Sequence, residues 1–188
     1  MDTNPLRSAL EERRFVCTAE LVLGRDYSAA EVETFVRDAA AEAEGIRVVS
    51  LTDLPGGNPA LPPEAVAAWV MAQGLHPLVH LTGKDGNRSF LEGRLLSLAR
   101  IGVQSVLALT GDAQRSAFAG KAKPVHDLDS VLLLRLIEAM REGILYRLGS
   151  REIRSTPAAF FAGAVVNPFK VRQADQMMQL YKLELKVC

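Results

Sequence analysis

The sequence predicts an α/β fold built on parallel strands, and two regularities carry that prediction. Apolar runs of strand length alternate with segments in which apolar residues recur at helical spacing. Each apolar run also closes with a polar residue and a loop, so one strand–helix unit repeats along the chain. Strands that alternate with helices in this way pair in parallel through right-handed crossovers. The predicted strands are residues 15–21, 46–52, 77–81, 106–109 and 158–166.

Helices are predicted before the first strand and after each strand, and capping residues set most of their ends. Serine and proline favour helix starts, whereas glycine favours helix ends. On this basis the helices begin at Asn4, at Ser28, at Pro62, at Ser89, near Leu128 and near Arg172. The predicted ends are Arg13, Gly45, Gly74, Gly102 and about Leu145, and residues 113–126 and 149–157 are predicted to be irregular.

Two arrangements of these units are open: a doubly wound sheet and a (β/α)8 barrel. A doubly wound sheet gathers its ligand at one switch point, whereas the ends of all strands of a barrel converge on one site. Polar residues stand at the end of every predicted strand and no Gly-x-Gly-x-x-Gly pattern follows the first strand, so the barrel is favoured. About five units do not close eight strands. Residues 1–188 are therefore predicted to form a single, incomplete TIM barrel domain, with a second copy or a partner subunit covering its open edge.

Composition and charge make several classes of function improbable. Basic and acidic residues balance at 22 each, so no net field favours nucleic acid or an acidic membrane surface. No apolar run approaches the roughly 20 residues that span a bilayer, and the N-terminus does not resemble a signal peptide, which together predict a cytoplasmic protein. The two cysteines form neither a disulfide framework nor a metal cluster. Cys17 lies in a predicted strand and is interpreted as a small buried hydrophobe.

Titratable residues at the strand ends are the candidates for chemistry, and each has a plainer structural interpretation. Glu20 lies among apolar residues, where desolvation would favour its protonated form and make it a general acid; alternatively it points to solvent. Asp112 could accept hydrogen bonds from an N–H-rich heterocycle, or it could cap its loop. His80 could bind a ligand or be a hydrogen-bonded core histidine. These residues suit several divalent ions, but their spacing carries no metal signature, so no metal is predicted.

Taken together, these strand ends resemble the methylenetetrahydrofolate reductase family. The resemblance is carried, in order, by Phe15–Leu21, by Ser50–Asp53 with Pro55–Pro59, by His80–Thr82 with Asp85 and Asn87-Arg88, by Leu109–Asp112, by Asp127-Leu128 and by Gly163–Pro168. A single motif would be weak evidence for a family. Here six motifs match in order and spacing, and together they cover essentially the whole chain. The resemblance implies a (β/α)8 barrel that binds FAD noncovalently and reduces 5,10-methylenetetrahydrofolate to 5-methyltetrahydrofolate.

The resemblance also implies a role for each matching residue. Glu20 would be the catalytic acid that helps open the five-membered ring of the folate to an iminium ion. Hydride from reduced flavin would then reach the iminium carbon. Asp112 would be the second catalytic residue, contacting the pterin and tuning the flavin. The residues implied to bind the cofactor are Thr52, His80, Thr110, Gly111, Asp112, Asn167, Gln179 and Lys186.

The sequence departs from the family pattern at three places. The family's barrel continues for three more units, and its next strand carries a glutamine used in folate and nicotinamide binding. Gly83 stands where many members have a cysteine. The loop at Asp53–Pro59 is similar to that of members that work beside partner subunits, so the reductant is expected to be either NAD(P)H or a protein electron donor. The alternative function is a non-catalytic barrel fragment or accessory subunit that binds folate or a partner protein.

Overall fold

The computed structural model describes residues 4–42, 46–113 and 122–187. Its helices are α1 (Pro5–Glu11), α2 (Ala29–Ala41), α3 (Pro63–Ala72), α4 (Arg88–Ile101), α5 (Ser130–Arg141) and α6 (Gln173–Val187). Its strands are β1 (Cys17–Leu21), β2 (Ile46–Leu51), β3 (His76–Thr82), β4 (Ser105–Leu109), β5 (Leu145–Leu148), β6 (Arg151–Arg154) and β7 (Phe161–Ala164).

The main sheet has five parallel strands in the order β1-β2-β3-β4-β7. At least one helix connects each strand to the next, as parallel pairing requires. The predicted α/β fold with a parallel sheet is therefore confirmed. Sequential parallel neighbours are consistent with part of a (β/α)8 barrel, and closure of such a barrel stays a prediction.

The core lies between this sheet and the helices that cover one of its faces. Alternate residues of each strand point to that face, and in the central strands they are Val49 and Leu51, Val79 and Leu81, and Val106 and Ala108. They pack against fully buried helix residues that include Val32, Val66, Leu91, Leu95 and Leu133. Helix burial at this spacing follows from the apolar periodicity of the sequence.

The opposite face of the sheet carries buried polar side chains that satisfy one another. His76 Nε2 lies 2.7 Å from Ser105 Oγ, and Asn4 Nδ2 donates to the same oxygen at 3.0 Å. Asn4 is also the N-cap of α1, because its Oδ1 accepts from the Arg7 amide at 3.0 Å. The short leading helix is thereby attached to β4 at the amino-terminal edge of the sheet.

Local capping chemistry sets the helix starts, and one predicted cap is wrong. Ser28 begins α2 in a capping box with Glu31, as its position predicts. The predicted cap of α4 was Ser89, but Asn87 holds that role: its side chain accepts from the Phe90 amide at 2.9 Å and its backbone is extended. Gly102 ends α4 at φ +92°. The predicted end of α2 at Gly45 lies outside the described residues.

The region after α5 differs most from the sequence prediction. The helix predicted over 128–145 spans only Ser130–Arg141, and the residues predicted to be irregular contribute to a hairpin of β5 and β6. Gly143, at φ +85°, ends the helical path, and a Cβ there would overlap the carbonyl oxygen of Ser155. Ser155 in turn accepts from and donates to Ile144 at 2.9 Å in each bond. These contacts fix the base of the hairpin, and helical periodicity does not reveal them.

The edges of the sheet are more open than the sequence suggested. Cys17 is exposed on the edge strand β1, so its interpretation as a buried hydrophobe is wrong. Phe15 precedes the strand and is 91% exposed. The last parallel strand covers four residues, fewer than the predicted 158–166. Within its described residues α6 has none that is buried, and Met177, Met178 and Tyr181 are exposed.

Candidate active site

A cleft of about 620 Å³ lies at the carboxyl edge of the parallel sheet. Residues at or just after the ends of β1, β2, β3, β4 and β7 line it, together with residues of α5 and α6. Parallel strands bring their carboxyl ends to one edge, so side chains that are distant in sequence meet there. This cavity is called the cleft below.

Eight of the nine residues predicted for catalysis or cofactor binding line the cleft: Glu20, Thr52, His80, Thr110, Gly111, Asp112, Gln179 and Lys186. Asn167 is not among the lining residues. It is exposed, and its Oδ1 accepts from the Phe169 amide at 3.2 Å in a local turn. The structure thus brings the predicted site together with that one exception.

Glu20 lies on β1 beside Ser50 of β2 and lines the cleft. The expectation that apolar neighbours desolvate it is wrong, because the residue is exposed. The next residue, Leu21, is buried in the core, whereas Glu20 and the exposed Val22 line the cleft, and β1 is the edge strand of the sheet. The carboxylate is therefore accessible to a ligand in the cleft.

Thr52 joins the ends of β1 and β2. Its Oγ1 accepts from the Leu23 amide at 2.9 Å, and its own amide donates to Leu21 O at 3.2 Å. The side chain is buried although it lines the cleft. Its observed role is to fix the wall that carries Glu20.

Asp53, which follows Thr52, is held by the end of β3 and by α4. Its Oδ2 accepts from the amide of Thr82 at 2.8 Å and from the Thr82 hydroxyl at 2.7 Å. Arg94 of α4 donates to both Asp53 oxygens, at 2.9 and 3.2 Å, and to Glu64 of α3 at 2.5 Å. Burial alone would lower the pKa of Arg94, but the two carboxylates outweigh it and raise that pKa, so the guanidinium stays charged.

His80 is both a buried, hydrogen-bonded histidine and a lining residue of the cleft, so the two interpretations of it are compatible. One ring nitrogen, Nε2, lies 2.7 Å from Ser50 Oγ. Burial lowers the pKa of His80, and the nearby carboxylates of Glu20 and Asp53 oppose that shift only in part. The neutral imidazole is therefore the favoured form near neutral pH.

The end of β4 supplies a closely packed wall. Gly111 has φ +96°, and a Cβ there would lie 3.2 Å from both Thr82 Cβ and Lys84 Cγ. Thr110 Oγ1 accepts from the Ser130 amide at 3.1 Å, at the first residue of α5. The glycine permits a backbone conformation and a close approach that a larger residue would obstruct.

One face of α6 supplies the basic end of the cleft. Gln179, Lys182 and Lys186 lie at helical spacing and all line it. Lys186 Nζ donates to Val165 O at 2.7 Å, and Lys182 Nζ lies 3.5 Å from Asp129 Oδ2. Burial and the neighbouring Lys182 lower the pKa of Lys186, while Asp129 partly opposes this shift.

Two residues of this site were missed in the sequence. Arg94 lies among Leu91, Leu95 and Leu98 on the buried side of α4, and a basic residue on an apolar face is a signal for a buried partner. Lys182 follows Gln179 by three residues and precedes Lys186 by four, so helical spacing could have added it. Among the described residues, no group of three His, Cys, Asp or Glu is arranged to hold a metal ion.

A pH-dependent loss of stability is expected from the two buried histidines. Burial lowers the pKa of both His76 and His80 in the folded protein from 6.5, the value expected when they are exposed. Below that pH the unfolded chain binds more protons than the folded one, so the free energy of unfolding should fall as the pH decreases from about 7.5 to about 5.5. Urea denaturation at the two pH values measures the change.

The third histidine provides the control for this prediction. His126 is exposed, and His126→Gln should leave the pH dependence unchanged. His76→Gln or His80→Gln should reduce the difference between the two pH values. A wild-type protein with equal stability at both would show that the histidines are not buried as described.

One comparison with known proteins identifies the family. The family model for methylenetetrahydrofolate reductase matches residues 6–164, which is more than half of the chain. The match defines the class of this protein, which is an α/β domain of a family of folate-pathway oxidoreductases. The chain belongs to the methylenetetrahydrofolate reductase family.

Two further comparisons add little to this assignment. The carboxyl transferase domain of Rhizobium etli pyruvate carboxylase is similar at 18% sequence identity and a TM-score of 0.38, over 71% of this chain and 21% of that one. This chain thus spans about a fifth of the length of that structure. A search of the curated proteins finds no match.

In the described part of the chain no helix is both long and apolar enough to cross a bilayer.

Proposed function

We propose that this chain binds FAD and reduces 5,10-methylenetetrahydrofolate to 5-methyltetrahydrofolate. The observation that carries the proposal is the composition of the cleft: Glu20 and Asp112 share it with two lysines of α6. Carboxylates suit the N–H groups of a pterin, and ammonium groups suit phosphates. Membership of the family supports this assignment of the two ends of the cleft.

The residues present fit a flavin dinucleotide. Lys182 and Lys186 offer two positive charges one helical turn apart, which can face a diphosphate. Gly111 lines the cleft with backbone alone, and close packing against Thr82 and Lys84 fixes its position in that wall. His80 and Thr110 add polar atoms along the same wall. A bound flavin, when reduced, supplies the hydride for the reaction.

Glu20 is proposed to hold a proton and pass it to the folate as the five-membered ring opens. The carboxylate is exposed in the structure, so a folate entering the cleft would remove water from it. Desolvation favours the protonated form of a carboxyl group, which is the form a general acid needs. Asp112 is proposed to accept hydrogen bonds from the pterin, since its carboxylate is exposed at the end of the Thr110-Gly111 wall.

The reductant is proposed to be NAD(P)H or a protein electron donor. A second copy or a partner subunit is proposed to cover the open edge of the sheet. The exposed apolar residues of α6, such as Met178 and Tyr181, support a partner there. The same residues favour the second candidate function, an accessory subunit that binds folate or a partner protein without turnover.

Titration with FAD, followed by anaerobic reduction and addition of the folate, tests the proposal. The purified chain should quench the fluorescence of added FAD, and the visible absorbance of the bound flavin should disappear with dithionite, NADH or NADPH. Adding 5,10-methylenetetrahydrofolate should restore that absorbance. A chain that binds no FAD would refute the proposal, whereas bound flavin that the folate cannot reoxidise would favour the accessory function.

A further inference from the structure

The loop after β2 forms one wall of the cleft in a backbone conformation that its sequence does not favour. Leu54 has φ +48° and ψ +57°, the left-handed region, and it lines the cleft with Pro55 and Gly56. Leucine has no side-chain group that could favour this region, unlike asparagine or aspartate. Within the loop the Gly57 amide donates to Leu54 O at 2.8 Å, and the residue before Leu54 adds contacts from outside the loop.

Asp53, the residue before Leu54, is the fixed point of this loop. Its carboxylate accepts two hydrogen bonds from Thr82 at 2.8 and 2.7 Å, and two from Arg94 at 2.9 and 3.2 Å. Four donors on two oxygens leave the side chain little freedom to rotate. The backbone that continues into Leu54 is thereby anchored to the end of β3 and to α4.

Arg94 is in turn fixed from a third element. Its Nε donates to Glu64 of α3 at 2.5 Å, so one guanidinium joins the first turn of α3 to the residue before the loop. The Arg94 side chain is 14% exposed and that of Asp53 is 4% exposed, so water competes weakly for these bonds. The planar guanidinium spreads its donors over three nitrogens, and each of the three makes one of these bonds.

We propose that Arg94 is a positioning residue that, by clamping Asp53, keeps Leu54 in the left-handed region and so holds Leu54–Gly56 as a rigid wall of the cleft. Arg94 does not itself line the cleft, so it acts on a ligand through this loop. That the ligand is a flavin rests on the proposed function. A preformed wall costs the ligand no ordering of the loop, so losing the clamp should weaken binding.

The test is a cycle of variants with two measurements. Arg94→Lys keeps the charge but loses the planar set of donors, and Leu54→Asn places a residue that tolerates the left-handed region. Arg94→Lys should weaken FAD binding at least about tenfold and speed hydrogen exchange at the amides of Gly57 and Asn58, which are bonded within the loop. In the Leu54→Asn background, Arg94→Lys should weaken FAD binding by less than about threefold. Arg100→Lys, at an exposed position of α4, is the matched control and should change neither.

Each outcome decides the inference. Equal losses in both backgrounds, or a folded Arg94→Lys protein with wild-type exchange at Gly57 and Asn58, would overturn it. Exchange needs no ligand, so that arm decides the inference even if the wild type binds no FAD, a result that would refute only the proposed function. Should Arg94→Lys not fold, Asp53→Asn decides it, because an amide replaces one of the two oxygens that accept from Arg94. Hydrogen exchange at the amides of Gly57 and Asn58 should speed in this variant, and wild-type exchange there would contradict the clamp.

Discussion

Glu20→Gln is expected to slow reduction of 5,10-methylenetetrahydrofolate by about 10²- to 10⁴-fold, the range that loss of a general acid typically produces. The amide is close in size to the carboxyl group but has no acidic proton to give. FAD affinity should stay within about twofold of wild type, because Glu20 lies on β1 at one end of the strand order, whereas Lys186 of α6 binds the chain just after β7 at the other end. Anaerobic single-turnover reoxidation of dithionite-reduced protein by the folate measures the chemical step without the natural reductant.

The matched control is Glu33→Gln on the outer side of α2, which removes one exposed carboxylate away from the cleft. It should reoxidise at the wild-type rate. Equal loss of FAD affinity and of reoxidation in Glu20→Gln would mean that Glu20 holds the site together and does not donate the proton. Its exposure and the absence of a hydrogen-bond partner among the described residues argue against that outcome.

The strand ends were predictable because their chemistry is local in sequence. A buried strand that closes with a polar residue places that residue at the carboxyl edge wherever the strand lies in a parallel sheet. Glu20, Thr52, His80 and Asp112 therefore reach one cleft without knowledge of the crossovers. Asn167 does not line the cleft, and its side chain accepts from the Phe169 amide in a local turn that periodicity does not reveal.

Features that depend on contacts between distant segments were not predictable in this way. Whether Glu20 and Cys17 are exposed depends on β1 being an edge strand, which strand order and not strand sequence determines. The clamp of Asp53 by Arg94 joins residues 41 positions apart through side chains alone. The hairpin after α5 depends on a glycine whose neighbour is Ser155. Each of these features can be recognised only from the folded structure.

Gly83→Ala is expected to lower the free energy of unfolding by about 1–3 kcal/mol, the usual cost of adding a methyl group where packing is complete. A Cβ at Gly83 would overlap the carbonyl oxygen of Leu128, which is backbone and cannot swing aside. The Gly83 amide also donates to Leu109 O at 2.9 Å, so moving it would strain the junction of β3 and β4. Urea denaturation at neutral pH gives the change.

Gly93→Ala provides the comparison, because the same methyl group meets no atom within 4 Å on the exposed side of α4. There alanine should raise the free energy of unfolding by about 0.5–1 kcal/mol, because alanine loses less backbone entropy on folding into a helix than glycine does. Gly83→Cys should cost at least as much as Gly83→Ala because its Cβ meets the same oxygen. If Gly83→Cys were as stable as wild type, the loop at Leu128 would have to lie farther from β3 than the structure places it. The opposite signs expected at Gly83 and Gly93 separate a requirement for space from the general cost of glycine.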